Sequence, residues 1–595
     1  MKLNKFLLSA IAAASLTACS DSPDVVKNDK GHWNADGTGY VSLSISMPDN
    51  VGSKGSRATN NDDFYKGDDK EYAVNNATLV IFSGDADDEA SMTFEAAYDL
   101  PLSFTTVGGD GNQIISKGKL TKQINKITKP YAKALVILNM PSNLHLDGNK
   151  LTYDDDNDSN TPKIEFSGTF KKFQELQSAL NVDVAKGFTM TNAPLTKGKS
   201  SAAAAPTTGT TTTLATINKD NIKPTAEEAS NNPAADIYVE RSVAKVTVKK
   251  GGSISTKIST NTEINCEVMQ FALDNTNSTS FLVRNVDNSW AGLVSNSTTV
   301  NSLQDKYRFV GFTEVETGKG YRTYWAKDPN YENKLDNAST SAFSALGEDK
   351  PLYCMENTFD VAHQTNANTT RAIVKVQLWK DAADKGKTYY MYNNDASTFD
   401  LQGTKLEENT NLLAAANKIA LVVANNKTVT AFEFEDAKDK NGNILKGYKQ
   451  IKSVTIDGVK DGTSEIFESI KNYFGNIAVY ENGYAYYPVL IKHFGDGLTP
   501  WNKDEYGDAT NAPVSSTKID KIYPGDTNKQ DNNYLGRYGV VRNNWYELTV
   551  NNVKKLGKPG INTPDNTPDD ELESYISVSI NILSWAKRSQ DVDLQ

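Results

Sequence analysis

The chain is expected to be mainly β, built as two β-sandwich-like domains with few short helices and long loops. Three observations predict this. Short apolar runs alternate with polar residues at period 2, the pattern of strands with one face in a core. Long stretches rich in Asn, Asp, Gly and Ser separate them and read as exposed loops. A length of 595 residues is enough for real cores in two such domains, and length alone would allow three.

The N-terminus comes first. Lys2 and Lys5 form a basic region and residues 6–16 an apolar, small-residue run. It is shorter than the ~20 residues that span a bilayer, so residues 1–18 read as a signal peptide rather than an anchor helix. Leu16-Thr17-Ala18-Cys19 is a lipobox. Its small residues suit a lipoprotein peptidase and its thiol accepts a diacylglyceryl group, so Cys19 is expected to be lipidated. The alternative is an ordinary secretory signal with a chance cysteine. Lipidation gives a multi-chain anchor that holds a protein at a membrane.

Residues 20–38 are a polar tether. Then Val41, Leu43, Ile45 and Met47 alternate with Ser42, Ser44 and Ser46, predicting a strand with one buried face. Residues 48–63 form an exposed loop. Further strands are expected over 77–82, 134–139, 237–248, 373–379, 417–423, 483–491, 545–550 and 575–583. Helix is expected over 170–180, with another turn at 225–231. Residues 200–214 are low-complexity surface. Domains are expected over 58–250 and 251–595, after a removable segment 19–57.

Several classes of function are disfavoured. The net charge of −11 argues against nucleic acid and anionic membrane surfaces. None of the four histidines, His32, His145, His363 and His493, stands at metal-ligand spacing. Asp154 to Asp158 lacks the Gly and terminal Glu of a calcium loop, so a solvated acidic turn is expected. There is no nucleophile elbow and no phosphate-cradling loop, and Gly108-Gly109-Asp110-Gly111 reads as a turn. No catalytic residue, metal or cofactor is assigned. Cys266 and Cys354 are either one disulfide or two buried small hydrophobes.

Several strings carry a resemblance. They are Tyr40 to Met47 followed by Arg57, Val239-Glu240-Arg241-Ser242-Val243-Ala244-Lys245-Val246, Val540-Val541-Arg542-Asn543-Asn544, Lys554-Lys555-Leu556-Gly557, and the tail from Ser577 through Trp585 to Leu594. In this order, behind a lipobox, they resemble the type V fimbrillins, pilins of Gram-negative anaerobes, and most of all the major subunit of the short ("minor") fimbriae. The resemblance implies transthyretin-like or Greek-key sandwiches and a subunit exported to the outer membrane as a lipoprotein. It also implies an arginine-specific protease that cuts the loop after the first strand. A groove is left, and the C-terminal strand of a neighbouring copy fills it. Tip and anchor subunits are the other implied partners, with adhesion to host or bacterial surfaces as the implied role.

The residues support that mechanism. Arg57 is the first arginine and the next is Arg241, so a protease selective for Arg meets one early target and leaves Ala58 as the new N-terminus. Loss of Val41, Leu43, Ile45 and Met47 exposes core and unpaired backbone, which templates another strand. At the other end Ile576, Val578, Ile580 and Ile582 alternate with Ser577, Ser579 and Asn581, and Val592 and Leu594 alternate with Asp591 and Asp593. Trp585 breaks the first register, so a bulge or bend is expected there. The 576–582 run also fits a last strand of its own sheet, and the donor is placed in 584–594, with Trp585, Val592 and Leu594. Glu240 and Arg241 read as an ion pair on a solvent face.

Two rivals stand beside the shaft reading. An anchor keeps its lipid and first strand, and a tip needs no donor. A glycan-binding surface lipoprotein would stack sugars on Tyr484, Tyr486, Tyr487, Trp501, Trp545 and Tyr546, although strand packing is the commoner use of such residues.

Overall fold

The computed structural model describes residues 32–46, 67–102, 104–108, 114–154, 163–197, 211–285, 309–311, 320–323, 326–329, 335–336, 343–358, 366–401, 406–424, 426–492, 538–564 and 576–584. Cys19, Met47, Arg57, Ala58, Trp501, Trp585, Val592 and Leu594 lie outside the described residues.

The protein is mainly β, as its alternation predicts. In the first half the strands are β1 (Thr38–Ser46), β2 (Ala77–Gly84), β3 (Thr93–Asp99), β4 (Phe104–Gly108), β5 (Ile114–Asn125), β6 (Tyr131–Leu138), β7 (Met190–Asn192) and β8 (Ala235–Arg241). They pair in the order β3-β2-β6-β7-β8-β1-β5-β4. β8 serves two sets of neighbours. Its first part runs parallel to β1, and its last residues pair antiparallel with β7. One strand divided in this way makes the corner at which a sheet turns over on itself. The inward residues Val41, Leu43 and Ile45 thereby meet Leu79, Ile81, Ala134 and Val136 in one buried core.

On their other face, β2 and β6 turn Val80, Phe82, Leu135 and Ile137 toward Phe170 and Phe173. Those two phenylalanines lie on α1 (Phe170–Phe173), a single turn capped by Thr169. The helix expected over 170–180 ends there, because the chain returns to pairing at the short strand Gln177–Ser178. A second helix, α2 (Ala226–Asn231), starts where expected. The Thr225 hydroxyl accepts from the Glu228 amide at 3.3 Å, satisfying one of the first-turn donors.

The second half contains β9 (Val243–Lys250), β10 (Asn261–Asp274), β11 (Leu352–Met355), β12 (Arg371–Trp379), β13 (Tyr389–Met391), β14 (Val429–Lys438), β15 (Ile444–Ile456), β16 (Ile477–Tyr480), β17 (Tyr484–Leu490), β18 (Asn544–Val553) and β19 (Ile576–Ser584), with helices α3 (Thr410–Val423) and α4 (Glu465–Phe474). One sheet has the order β11-β9-β18-β19 and another contains β10-β12-β17. Val246, Val248, Leu548 and Val550 of the first meet Val374, Val376, Ala485 and Tyr487 of the second in a shared core, the arrangement of a sandwich. The strands β13-β16-β15-β14 form a further sheet that buries its own core against α3 and α4.

Residues 417–423 are not the strand their apolar, β-branched run suggests. They are the second half of α3. The Asn409 side chain caps the helix, accepting from the Leu412 amide at 2.8 Å. Leu412, Ala416 and Ala420 then form a buried stripe at four-residue spacing. Asn417 fixes α3 to β14 by bonding both the carbonyl and the amide of Val429, at 2.9 and 2.7 Å.

The stretch expected as one strand over 237–248 is two, β8 and β9, divided at Ser242. β9 pairs with β11 and β18 of the second half. Strand partners therefore change at Ser242, upstream of the division expected near residue 250.

Candidate assembly site

Three places bear on the assembly expected from the sequence: the first strand, the last described strand, and the junction between the halves. β1 lies inside its sheet. It is antiparallel to β5 along its whole length, from Thr38 opposite Asn125 to Ser46 opposite Lys117, and parallel to β8 from Leu43 opposite Ala235 to Ser46 opposite Tyr238. Tyr40 exchanges backbone bonds with Lys223 at 2.7 and 3.0 Å, and the Ala234 amide donates to the Ser42 carbonyl at 2.7 Å. Val41 and Leu43 are fully buried and Ile45 nearly so. Ser42 on the opposite face is buried too, and its hydroxyl receives a bond from Thr121 at 3.2 Å.

Of the removable-strand residues, then, Val41, Leu43 and Ile45 share one core. Removing β1 would uncover that core and leave facing backbone edges on β5 and β8. At ~1.5–3 kcal/mol per buried aliphatic side chain, these three residues are worth roughly 5–9 kcal/mol. Two unpaired edges facing each other form a slot for one strand.

β19 pairs antiparallel with β18, from Val553 opposite Ile576 to Asn544 opposite Ser584, with a register shift between Val550 and Asn552. It is the outermost described strand of its sheet. The 576–582 alternation therefore serves the chain's own second half here.

The sequence misplaces Glu240 and Arg241. Both are buried, and they do not pair with each other on a solvent face. Glu240 takes a two-pronged bond from Arg284, at 2.9 and 3.0 Å. Arg241 donates through Nε to the Glu71 carbonyl at 3.0 Å and through Nη1 to Asn543 Oδ1 at 3.2 Å, and its guanidinium lies 4.4 Å from the centre of the Tyr72 ring. No local signal reveals these partners, which are distant in sequence.

Three of the aromatic residues considered for sugar stacking, Tyr487, Trp545 and Tyr546, are used internally. Tyr487 and Tyr546 are fully buried; the Tyr487 hydroxyl donates to the Lys555 carbonyl at 2.8 Å, and the Tyr546 hydroxyl accepts from the Val541 amide at 2.8 Å. The Trp545 indole donates to Thr247 at 2.8 Å and its ring carries the Lys245 ammonium at 4.0 Å. Cys266 and Cys354 are free thiols in one core, and burial pushes them up to about 11 and about 12 respectively. Thiols held so far from ionisation are inert packing groups. Asp154 is buried with Oδ2 2.9 Å from His145 Nε2, while Asp155 to Asp158 lie outside the described residues. Among the described residues, no group of three or more His, Cys, Asp or Glu side chains is placed to hold a metal ion.

Residues 522–591 match the family model of the major fimbrial subunit protein type IV, Fimbrillin, C-terminal region. The matched stretch includes Arg542, Asn543, β18 and β19. No curated protein matches the chain. Among solved structures, a Parabacteroides distasonis protein provisionally assigned to cell adhesion is 11% identical with a TM-score of 0.32, covering 93% of this chain and 99% of that one. One from Bacteroides eggerthii, with the same assignment, is 10% identical with a TM-score of 0.32, covering 94% and 98%. A Parabacteroides distasonis fimbrial assembly protein is 13% identical with a TM-score of 0.26, covering 57% and 82%. Superpositions of this quality carry no further argument. The match is to the C-terminal region alone, over residues that contribute to the second half's core, and there this chain is similar to the fimbrillins.

Proposed function

We propose that this chain is the shaft subunit of a cell-surface fimbrium that polymerises with copies of itself by donor-strand exchange. The subunit is exported to the outer membrane with lipid on Cys19. An arginine-specific protease cuts between Arg57 and Ala58, and β1 leaves with the lipid-bearing segment. The C-terminal segment of a neighbouring copy then occupies the slot between β5 and β8, with tip and anchor subunits completing the fibre and adhesion as its role. The observation that carries this reading is the position of β1: an apolar strand bonded on both sides, so that its loss creates a strand-shaped vacancy. A sugar-binding lipoprotein has no use for shedding such a strand.

The donor is assigned to 584–594, with Trp585, Val592 and Leu594 as its apolar residues. A second donor has a specific observation in its favour. Val41-Ser42-Leu43-Ser44-Ile45 and Ile576-Ser577-Val578-Ser579-Ile580 are the same apolar–serine alternation, so β19 would suit the vacancy left by β1 if it left its own sheet.

The test is the N-terminal residue of fibres sheared from cells, read by mass spectrometry, together with Arg57→Ala. A mature start at Ala58, and a variant that stays a lipidated monomer without fibres, are expected. Normal fibres from Arg57→Ala would refute processing at this site.

A further inference from the structure

Two of the strings that carry the resemblance meet at the junction between the halves, and the proposed strand exchange assigns a role to neither. Val239 to Val246 spans β8, Ser242 and the start of β9; Val540 to Asn544 leads into β18. Their charged residues are buried together. The Arg284 guanidinium grips Glu240 and lies 3.9 Å from Glu356. Glu356 in turn accepts from Arg542, through the backbone amide at 3.0 Å and through Nε at 3.2 Å. Arg542 also donates to Ser280 Oγ at 3.2 Å and to the Phe281 carbonyl at 2.9 Å. Glu240, Arg284, Glu356 and Arg542 are each no more than 3% exposed.

A second cluster sits beside the first. Glu71 has no exposed surface, and its carboxylate receives the Lys245 ammonium at 2.7 Å and the Tyr353 hydroxyl at 2.5 Å. Its other oxygen accepts from the Asp68 amide at 3.0 Å, closing a capping box over the turn Asp69–Tyr72. That turn belongs to the first half by sequence, immediately before β2. Lys245 and Tyr353 are on β9 and β11 of the second half. Apolar packing crosses the same boundary, since Leu282, Val283 and Met355 share a core with Leu135, Ile137, Phe170 and Phe173.

A buried ion pair gains little stability over an apolar replacement, but it fixes geometry, because moving either partner strands a charge without water. Halves linked in sequence through one residue swing by default unless their interface holds them. We infer that the two buried charge clusters lock the halves into one rigid strut with a fixed angle at Ser242. The strut links the two ends of the proposed exchange by a short path: β8 flanks β1, continues through Ser242 into β9, and β9 pairs parallel with β18, which carries β19. The lock is a property of the single subunit, so its failure would leave the assembly reading standing, and the reverse holds too.

The experiment is a distance measurement between spin labels on the full chain in a Cys19→Ser background, with Ala86→Cys in the first half and Ala382→Cys in the second. Both positions are exposed, and the native Cys266 and Cys354 are buried. A single narrow distribution is expected for the parent. Removing one pair whole, Glu240→Gln with Arg284→Met, should widen it by about twofold or more, the swing that is the default for loosely joined domains. Glu71→Gln with Lys245→Met does the same at the second cluster and serves if the first pair does not fold. A broad parent distribution overturns the lock, and so does a distribution that stays narrow in a folded double variant.

Discussion

β1 and β19 carry the same alternation, yet the fold holds them in opposite ways. β1 is bonded on one edge to β5 and on the other to β8, with three of its side chains in a core made by the rest of the first half. β19 has one described neighbour, β18. Period 2 tells which face of a strand is buried, and it is silent about how many strands stand beside it. The difference bears directly on assembly: a strand held on both edges leaves a two-sided vacancy, whereas a strand held on one edge separates by breaking a single ladder.

The sharpest way to break this comparison is Leu43→Asp. A carboxylate placed at a fully buried position among Leu79, Ile81 and Val136 should cost the uncut subunit about 4 kcal/mol or more. If cleavage at Arg57 releases β1, as proposed, the same change should leave the urea midpoint of the cut material where it was. Urea melts of the two forms check this. Equal destabilisation of both would mean that β1 stays with the mature subunit.

Much of the fold is legible in the sequence where short apolar or alternating runs mark strands. Residues 40–46, 77–82, 373–379 and 545–550 all fall within strands. The failures have physical causes. In α3 the run Ile419-Ala420-Leu421-Val422-Val423 looks like a strand because β-branched residues favour one. The helix wins through a cap at Asn409 and a stripe whose register is set by alanines, which carry little hydrophobic signal. α4 did carry a signal: Ser464 as N-cap, Ile466, Phe467, Ile470 and Phe474 at helical spacing, and Gly475 at its end. The candidate site was legible at β1. The junction was not, because Glu240 and Lys245 find Arg284 and Glu71 only after the chain has folded, and a charge in a strand pattern ordinarily faces solvent.

Truncations sharpen the comparison from the other end. A chain ending at Ser584 keeps β19 and should melt within about 0.5 kcal/mol of the parent if residues 585–595 serve a neighbouring copy, as proposed. A chain ending before Ile576 exposes the whole edge of β18 and should lose on the order of 3 kcal/mol. Their polymerisation separates the two donors. If 584–594 is the donor, the first truncation is processed yet fails to elongate, read as the absence of a detergent-resistant ladder on a gel. A ladder from that truncation would assign donation to β19.

The smallest effect separates the two faces of β1. Ser42 is buried away from the main core, and its hydroxyl receives the bond from Thr121. Ser42→Ala removes an acceptor while the backbone bond from Ala234 to the residue-42 carbonyl remains. The loss should be about 1 kcal/mol, or roughly 2–4 °C in a domain of this size. Ser44 is half-buried and has no such bond to lose among those of the described residues, so Ser44→Ala should be silent. Both comparisons belong to the uncut chain alone. A Ser42→Ala shift that persists after cleavage at Arg57 would place β1 in the mature subunit, and equal shifts for the two serines would mean that β1 is held by its ladders rather than by what its faces touch.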